Sequence, residues 1–533
     1  MTEFHDQNDV AENVYADLWL DRRRFLMGTA IVGGGALISQ MTTGRALAAG
    51  QRGGTLRYGF GDSSASEHLD PARAQNGASI EMMQIIYEPL VRRGKNWTFH
   101  PWLAESYELA KDSNTWTFKI RKGVKFHDGS AMTAKDVAYT LGRLVDEKVG
   151  AGLRSRLKAT FAKENLEVVD DYTLKINMLR RDTLLEQPLS RYNAGIIKAG
   201  SVPLIDPSTA MGTGAFKAVS LEPGQSWAVD RFEQYWQPDV PALDAIQCIS
   251  IPDQSAKVQS VVSGAVDLID PVDAVILKQL AENPAVQVQP LQNAMRWSIF
   301  LNQKFKPFDD VRVRRAIKLA VDRKMILDKV FQGYGVVSPD VPVPPGDPTF
   351  PDDVGTGAQD IEGAKKLLAE AGFPDGIEFT LYTSPILFGM VDLAVAFAES
   401  VKEAGIKVTV NQWPAATYWD QVWIKYPTYI DYAFRRNAHD ALDIAYAKGT
   451  AYAAGTNFDE DGKLREFIDK ALIEPDAAKQ TEMYKSALKR VAMDSGVIIP
   501  CFLDQNYIMT KKVKGDLFQW ESPIAYSSLS KEA

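Results

Sequence analysis

The 533-residue chain is poor in the residues that most protein chemistry needs. It has two cysteines, Cys248 and Cys501, and five histidines, His5, His68, His100, His127 and His439. The histidines show no i, i+4 pairing, and neither H-E-x-x-H nor C-x-x-C occurs, which removes the usual zinc arrangements. A G-x-S-x-G elbow and a phosphate-cradling P-loop are also missing. Positive charge is not in excess: the net charge is −8 and the pI near 5.4, against the basic stripe that nucleic acid requires. Both cysteines sit in apolar, strand-like runs and read as free thiols packed as small hydrophobes. Export to an oxidising space would permit a bridge between them, which the sequence alone does not decide.

Three segments imitate active sites and fall short. Gly212-Thr213-Gly214-Ala215-Phe216-Lys217 lacks a third glycine and a flanking βαβ unit, and reads as a tight strand connection. Asn457, Asp459, Asp461 and Gly462 mimic the start of an EF-hand, but position twelve is Ile468 where a bidentate glutamate is needed, so a helix-capping loop is expected. His127-Asp128-Gly129 reads as a surface turn, because a catalytic dyad also needs a nucleophile and an oxyanion site. With no catalytic set, cofactor or metal constellation, an enzyme is not expected; an exported enzyme with an unrecognised site is the alternative.

What is present begins at the N-terminus. Residues 1–21 are polar, followed by Arg22-Arg23-Arg24-Phe25-Leu26, a weakly apolar run with Gly33-Gly34-Gly35, and an A-x-A pattern at Ala46-Leu47-Ala48. This resembles a twin-arginine signal spanning residues 1–48. The apolar run is too short and polar for a spanning helix, which takes about 20 residues. No cysteine lies near the cleavage point, so a freely diffusing periplasmic protein beginning near Ala49 is expected. The remaining length suits two or three domains. Charged residues at 24% and hydrophobic ones at 45% describe an ordinary globular chain.

Periods of two and of 3.6 interleave along this length, so the fold class is α/β. Leu56, Tyr58 and Phe60 alternate, as do Trp116, Phe118 and Ile120, and Met295, Trp297, Ile299 and Leu301. Thr133 and Asp136 form a capping box before Val137, Leu141, Leu144 and Val145. Asp360 opens a helix that Gly372 stops, and further helices are expected over 311–321 and 323–331. Residues 338–357, rich in proline, glycine and aspartate, predict a long surface loop. Trp413, Tyr418, Trp419, Trp423, Tyr426, Tyr429 and Tyr432 crowd one short stretch; aromatics with polar handles suit a cleft that encloses and releases a ligand.

Gly53-Gly54-Thr55-Leu56, His68-Leu69-Asp70-Pro71, Tyr87-Glu88-Pro89-Leu90 and Pro101-Trp102-Leu103-Ala104 precede a long block from Trp116 to Gly129. Gly264-Ala265-Val266-Asp267 and Pro307-Phe308-Asp309-Asp310-Val311-Arg312 follow. In order and spacing the chain resembles the extracellular solute-binding proteins, family 5, of ABC transporters, the group of dipeptide, oligopeptide, nickel and opine receptors. The resemblance implies a periplasmic-binding-protein fold of two lobes with an extra domain, a ligand cleft between the lobes and hinge closure. It places the first lobe at 49–91, 211–294 and 501–533, the extra domain at 92–210 and the second lobe at 295–500. The partners it implies are a small-molecule or peptide ligand and ABC permease subunits at the inner membrane, with the receptor itself a monomer.

Peptide-binding members carry an aspartate for the peptide ammonium after the strand that here reads Tyr429 to Phe434. This chain continues Arg435-Arg436-Asn437-Ala438-His439-Asp440, and an arginine pair suits carboxylate or phosphate. A solute with an anionic group is therefore expected at Arg435, Arg436 and Asn437. Two other readings stay open: Asp440 takes the ammonium role, or the arginines make ordinary salt bridges. Trp297 and Asn302, with Trp413, Tyr418 and Trp419, form a second expected contact set. A metal-chelate receptor of the same fold is a further alternative.

Overall fold

A computed structural model describes residues 52–532 except 75–76, 95–97, 112, 451–452, 519 and 523–524. The expected signal segment and cleavage site lie outside the described residues. The backbone of the molecule is a twelve-stranded sheet. Its main path runs Ile406–Gln412, Ile377–Thr383, Thr428–Phe434, Val286–Leu301, Cys501–Thr510, Leu268–Ile269, Thr55–Phe60, Ala245–Ser250, Ser226–Arg231 and Phe216–Glu222. Two short strands join it off this path: Gly335–Val337 on Cys501–Thr510 and Val497–Ile498 on Val286–Leu301.

Three large apolar cores explain the division into lobes, since each needs its own dry interior. One is built from residues 297–503. A second gathers Leu56 to Tyr87, Tyr192 to Ala294 and Tyr507 to Leu529, so it draws on both ends of the described chain. The third lies mostly within 90–196, where a four-stranded antiparallel sheet is covered by the helix Ala134–Val145. These are two lobes with a third body inserted in the first. Cys248 and Cys501 belong to different cores, and both are buried free thiols.

The lobes are joined by two long strands that belong to both. Val286–Leu301 pairs antiparallel with Cys501–Thr510, and its register shifts between Leu291 and Met295. At that bulge Asn293 has φ 53°, and its N–H donates to Asp504 Oδ1 at 2.6 Å. A bulge bends and twists a strand without severing it, which makes this crossing the natural hinge.

The local signals behave as the residue chemistry requires. Thr133 N–H donates to Asp136 Oδ2 at 2.8 Å at the head of its helix. Asp360 accepts from Gly363 N–H at 2.8 Å, and Gly372 leaves that helix at φ 93°. The helices Val311–Ala320 and Arg323–Lys329 are separate because Asp322 caps the second, accepting from Met325 N–H. Gly212 and Gly214 bring their segment against the end of the helix Gly77–Ile86, where a Cβ would stand 2.1 and 2.3 Å from backbone oxygens of Ile86 and Ile85. Asp459 accepts from Leu464 N–H and Arg465 N–H at 2.7 and 2.9 Å, so the EF-hand mimic is a helix cap. The turn at His127 holds its ring against the Gly214 carbonyl, 3.0 Å away.

Residues 338–357 correct an expectation. Their first part is interior: Ser338, Asp340, Val341 and Val343 are buried. Val341 and Val343 enter the second-lobe core, while Asp340 is held by Arg323 at 2.6 Å and accepts from Ile499 N–H at 2.8 Å. Composition read the prolines and aspartates as surface; a fully partnered buried aspartate defeats that rule.

Candidate functional site: a cavity between the lobes

At the crossing of the lobes lies a cavity of about 430 Å³. The first lobe contributes Phe60, at the end of its first strand, and the segment that leads from Asp270 into the helix Ala274–Ala281. The second lobe contributes Trp297, Phe331, Tyr334, Tyr432 and Phe434, and the loop bearing Leu387 and Phe388. The hinge strand closes one side with Asp504, Gln505 and Asn506.

Strand pairing makes the aromatic wall. Trp297 and Tyr432 are register partners on antiparallel neighbours, and their rings meet edge-on with centroids 5.8 Å apart. Tyr432 and Phe434 point the same way because successive side chains alternate. Their rings lie 5.4 Å apart. Trp419 braces Tyr432 from outside the cavity at 6.1 Å. Such edge-to-face chains hold rings in fixed orientations and are favourable beyond the area they bury.

Among the described residues, the lining includes four carboxylates and no lysine, arginine or histidine. Each carboxylate also serves the backbone. Asp62 accepts from Gly77 N–H at 2.9 Å. Asp273 caps its helix, accepting from Ile276 N–H at 2.9 Å, and takes a bond from Gln254 Nε2. Asp270 is engaged by Lys257 and by Gly61 N–H; burial nevertheless raises its carboxyl above the ordinary aspartate value. Asp504 accepts the hinge amide of Asn293.

The expected site residues separate into two groups. Trp297 stands in the cavity wall, and Trp419 directly behind it. Tyr418 is fully buried; its hydroxyl donates to Ile430 O at 2.8 Å and accepts from Ile430 N–H at 3.1 Å. Trp413 donates to Thr417 Oγ1 at 3.1 Å and packs on Tyr382 and Tyr426. Asn302 accepts from Asn457 Nδ2 at 2.9 Å and from Lys304 N–H, locking a turn beyond the strand end.

Arg435, Arg436, Asn437 and Asp440 do not line the cavity. The Arg435 side chain is fully buried with its guanidinium 3.8 Å from Asp347. Asn437 caps the helix Ala438–Ala445, accepting from Asp440 N–H at 2.8 Å and donating to Asp440 Oδ2 at 3.0 Å. Asp440 reaches the inserted domain, where Arg191 lies 3.1 Å and Arg156 4.0 Å away. Burial pushes the Asp440 carboxyl up, but Arg191, Arg156, His439 and Arg436 outweigh it and hold it below the usual range. Asp182, fully buried, binds Arg156 at 2.6 Å and completes an ionic junction between the inserted domain and the second lobe.

Sequence reading missed Phe331, Tyr334, Leu387, Phe388 and the Asp504-Gln505-Asn506 triplet. The triplet did leave a signal: three polar residues interrupt an otherwise apolar strand. The others come from loops and helix ends, whose convergence no local period records.

The model of the bacterial extracellular solute-binding proteins, family 5 (middle), matches residues 98–453. The chain belongs to that family. It is 31% identical over 376 residues to heme-binding protein A of Haemophilus influenzae, covering 66% of this chain and 68% of that protein. It is 26% identical over 445 residues to the glutathione-binding protein GsiB of Escherichia coli K12, covering 79% and 83%. The structure of AgaA from Agrobacterium (A.tumefacien R10), in complex with agropinic acid, superposes with a TM-score of 0.72 at 25% identity over 90% of this chain and 99% of that one. The chain is thus the solute-binding component of an ABC importer. Among the described residues no helix is long and apolar enough to cross a membrane, and no cluster of three metal-ligating side chains occurs.

Proposed function

We propose that this receptor captures a small solute in the cavity between its lobes, closes about the Val286–Leu301 and Cys501–Thr510 crossing, and presents the closed form to its permease. One observation carries the reading: the cavity takes walls from both lobes and a side from the hinge itself, so occupancy and closure are coupled. The absence of cationic side chains from the lining favours a solute that is neutral or cationic where it meets the wall, in place of the anion expected from the arginine pair. In this reading Arg435 is an interior residue beside Asp347 of the second lobe, and Asp440 serves the junction with the inserted domain. The protein acts as a monomer, without catalysis, in the periplasm after export on its twin-arginine leader.

The experiment is a thermal-shift screen of the mature chain against peptides, opines, amines, sugar acids and metal chelates, with small-angle scattering on any hit. A solute at 100 times its Kd adds about 2.7 kcal/mol to stability. Stabilisation with a smaller radius of gyration and no turnover supports the proposal. Product formation, or binding without compaction, overturns it.

A further inference from the structure

The aromatic wall of the cavity is buried, but its rim is not. Leu387 and Phe388 are 37% and 46% exposed while lining the cavity, whereas Trp297 and Phe331 in the same wall are 1% and 3% exposed. Large apolar side chains held at the rim of a concave site, with water on one face, gain by covering a ligand.

The loop that bears them is fixed. It runs from the end of the strand Ile377–Thr383 to the start of the helix Met390–Val401. Thr383 Oγ1 donates to Met390 O at 2.9 Å, and Trp413 N–H donates to Thr383 O at 2.7 Å, tying the loop's base to the aromatic segment. Gly389 follows Phe388 at φ 80°, and a Cβ there would stand 2.8 Å from Phe331 Cε1. Glycine lets the loop lie directly on the Phe331 ring, which seats Leu387 and Phe388 at the mouth. Val272, Ala274 and Leu277 of the first lobe line the same cavity, interleaved with Asp270 and Asp273. Apolar side chains of both lobes thus face one space, and closure about the hinge would bring them together.

We propose that Leu387 and Phe388 are the specificity-determining lip of the cavity, selecting solutes that carry an apolar ring, which closure sandwiches against Val272 and Ala274. The inference rests on the reading of this cavity as the solute site. An apolar ring can come from an aromatic peptide side chain or from a free planar ring system, and the probes separate the two.

Affinities of the mature protein and of Phe388→Ser and Leu387→Ser are measured by calorimetry with Ala-Phe-Ala, Ala-Gly-Ala and hemin. Both substituted side chains are partly exposed, so the variants should melt with the parent. At least one ring-bearing probe should bind about tenfold or more tightly than Ala-Gly-Ala, and Phe388→Ser should abolish that advantage, as loss of a fitted apolar contact does. Which of the two binds identifies the source. Equal affinity for Ala-Gly-Ala, or a ring preference that survives both substitutions, overturns the lip and leaves the receptor reading standing. Failure of both ring-bearing probes also overturns it; the receptor reading falls only if the wider solute screen fails as well.

Discussion

Tyr432 and Phe434 stand in the cavity wall, and Asp440, six residues on, stands in an ionic junction with the inserted domain. The two regions adjoin in sequence and differ in every physical respect. The cavity is open at its mouth, has one wall of rings in fixed orientation, and carries carboxylates that are each tied to the backbone. The junction is charged and already neutralised: Asp182 and Asp440 of the inserted domain and second lobe meet Arg156 and Arg191. Charge density is therefore a poor guide to where a ligand binds. Opposite charges that satisfy one another leave nothing for a solute, whereas an apolar wall gains only when something covers it.

The sharpest way to break this contrast is to unbalance the junction. Asp182→Ala leaves Arg156 buried with a weaker partner and should cost about 3–5 kcal/mol in urea unfolding. Ligand affinity, referred to the folded fraction, should change less than twofold. A large affinity loss would move the junction into the binding site.

A second test uses a buried carboxyl in the first-lobe core. Glu81 is fully buried on the helix Gly77–Ile86; burial raises its carboxyl to about 8, against hydrogen bonds from Tyr526 and Tyr507 that favour the ionised form. With the folded value above the unfolded one, its contribution is full below about 4.5 and is lost as pH rises through about 8. Stability of the parent should fall between these values, by an amount on the order of a few kcal/mol. Glu81→Gln should flatten that slope in melting curves recorded across the range; a slope unchanged by the substitution would place the titration elsewhere.

The smallest effect is expected at the rim of the junction. Arg191 is a quarter exposed and pairs with Asp440 from the inserted domain. Arg191→Gln should cost no more than about 1 kcal/mol. Because the pair spans two bodies that separate on opening, scattering of the unliganded protein should shift toward the more extended form. No shift would mean that the junction stays closed while the lobes open.

Much of the fold was legible because its signals are local. The alternation through Met295, Trp297, Ile299 and Leu301, the capping residues Thr133 and Asp360, and the ordered family blocks each need only a short window of chain. The cavity wall was legible in part: Trp297 was read from a strand face, and Trp419, behind that wall, from an aromatic cluster. Phe331 and Phe388 were not found, since they come from distant segments and neither breaks a local rule; Asp504 was passed over although its polar triplet interrupts an apolar strand. The placement of the arginine pair outside the cavity was hidden for the complementary reason. The partner of Arg435, Asp347, is remote in sequence, and an unpaired arginine and a satisfied one read alike.

The long strand Cys501–Thr510 has one more consequence. It lies in the middle of the sheet, between Val286–Leu301 and Leu268–Ile269, yet it is made after every other strand of that sheet. A growing chain can assemble the inserted domain early, but neither lobe has its full sheet until residue 510 has emerged. Both lobes therefore complete in one late event, from contacts hundreds of residues apart, which predicts slow maturation and a long-lived incomplete chain for the cell to protect.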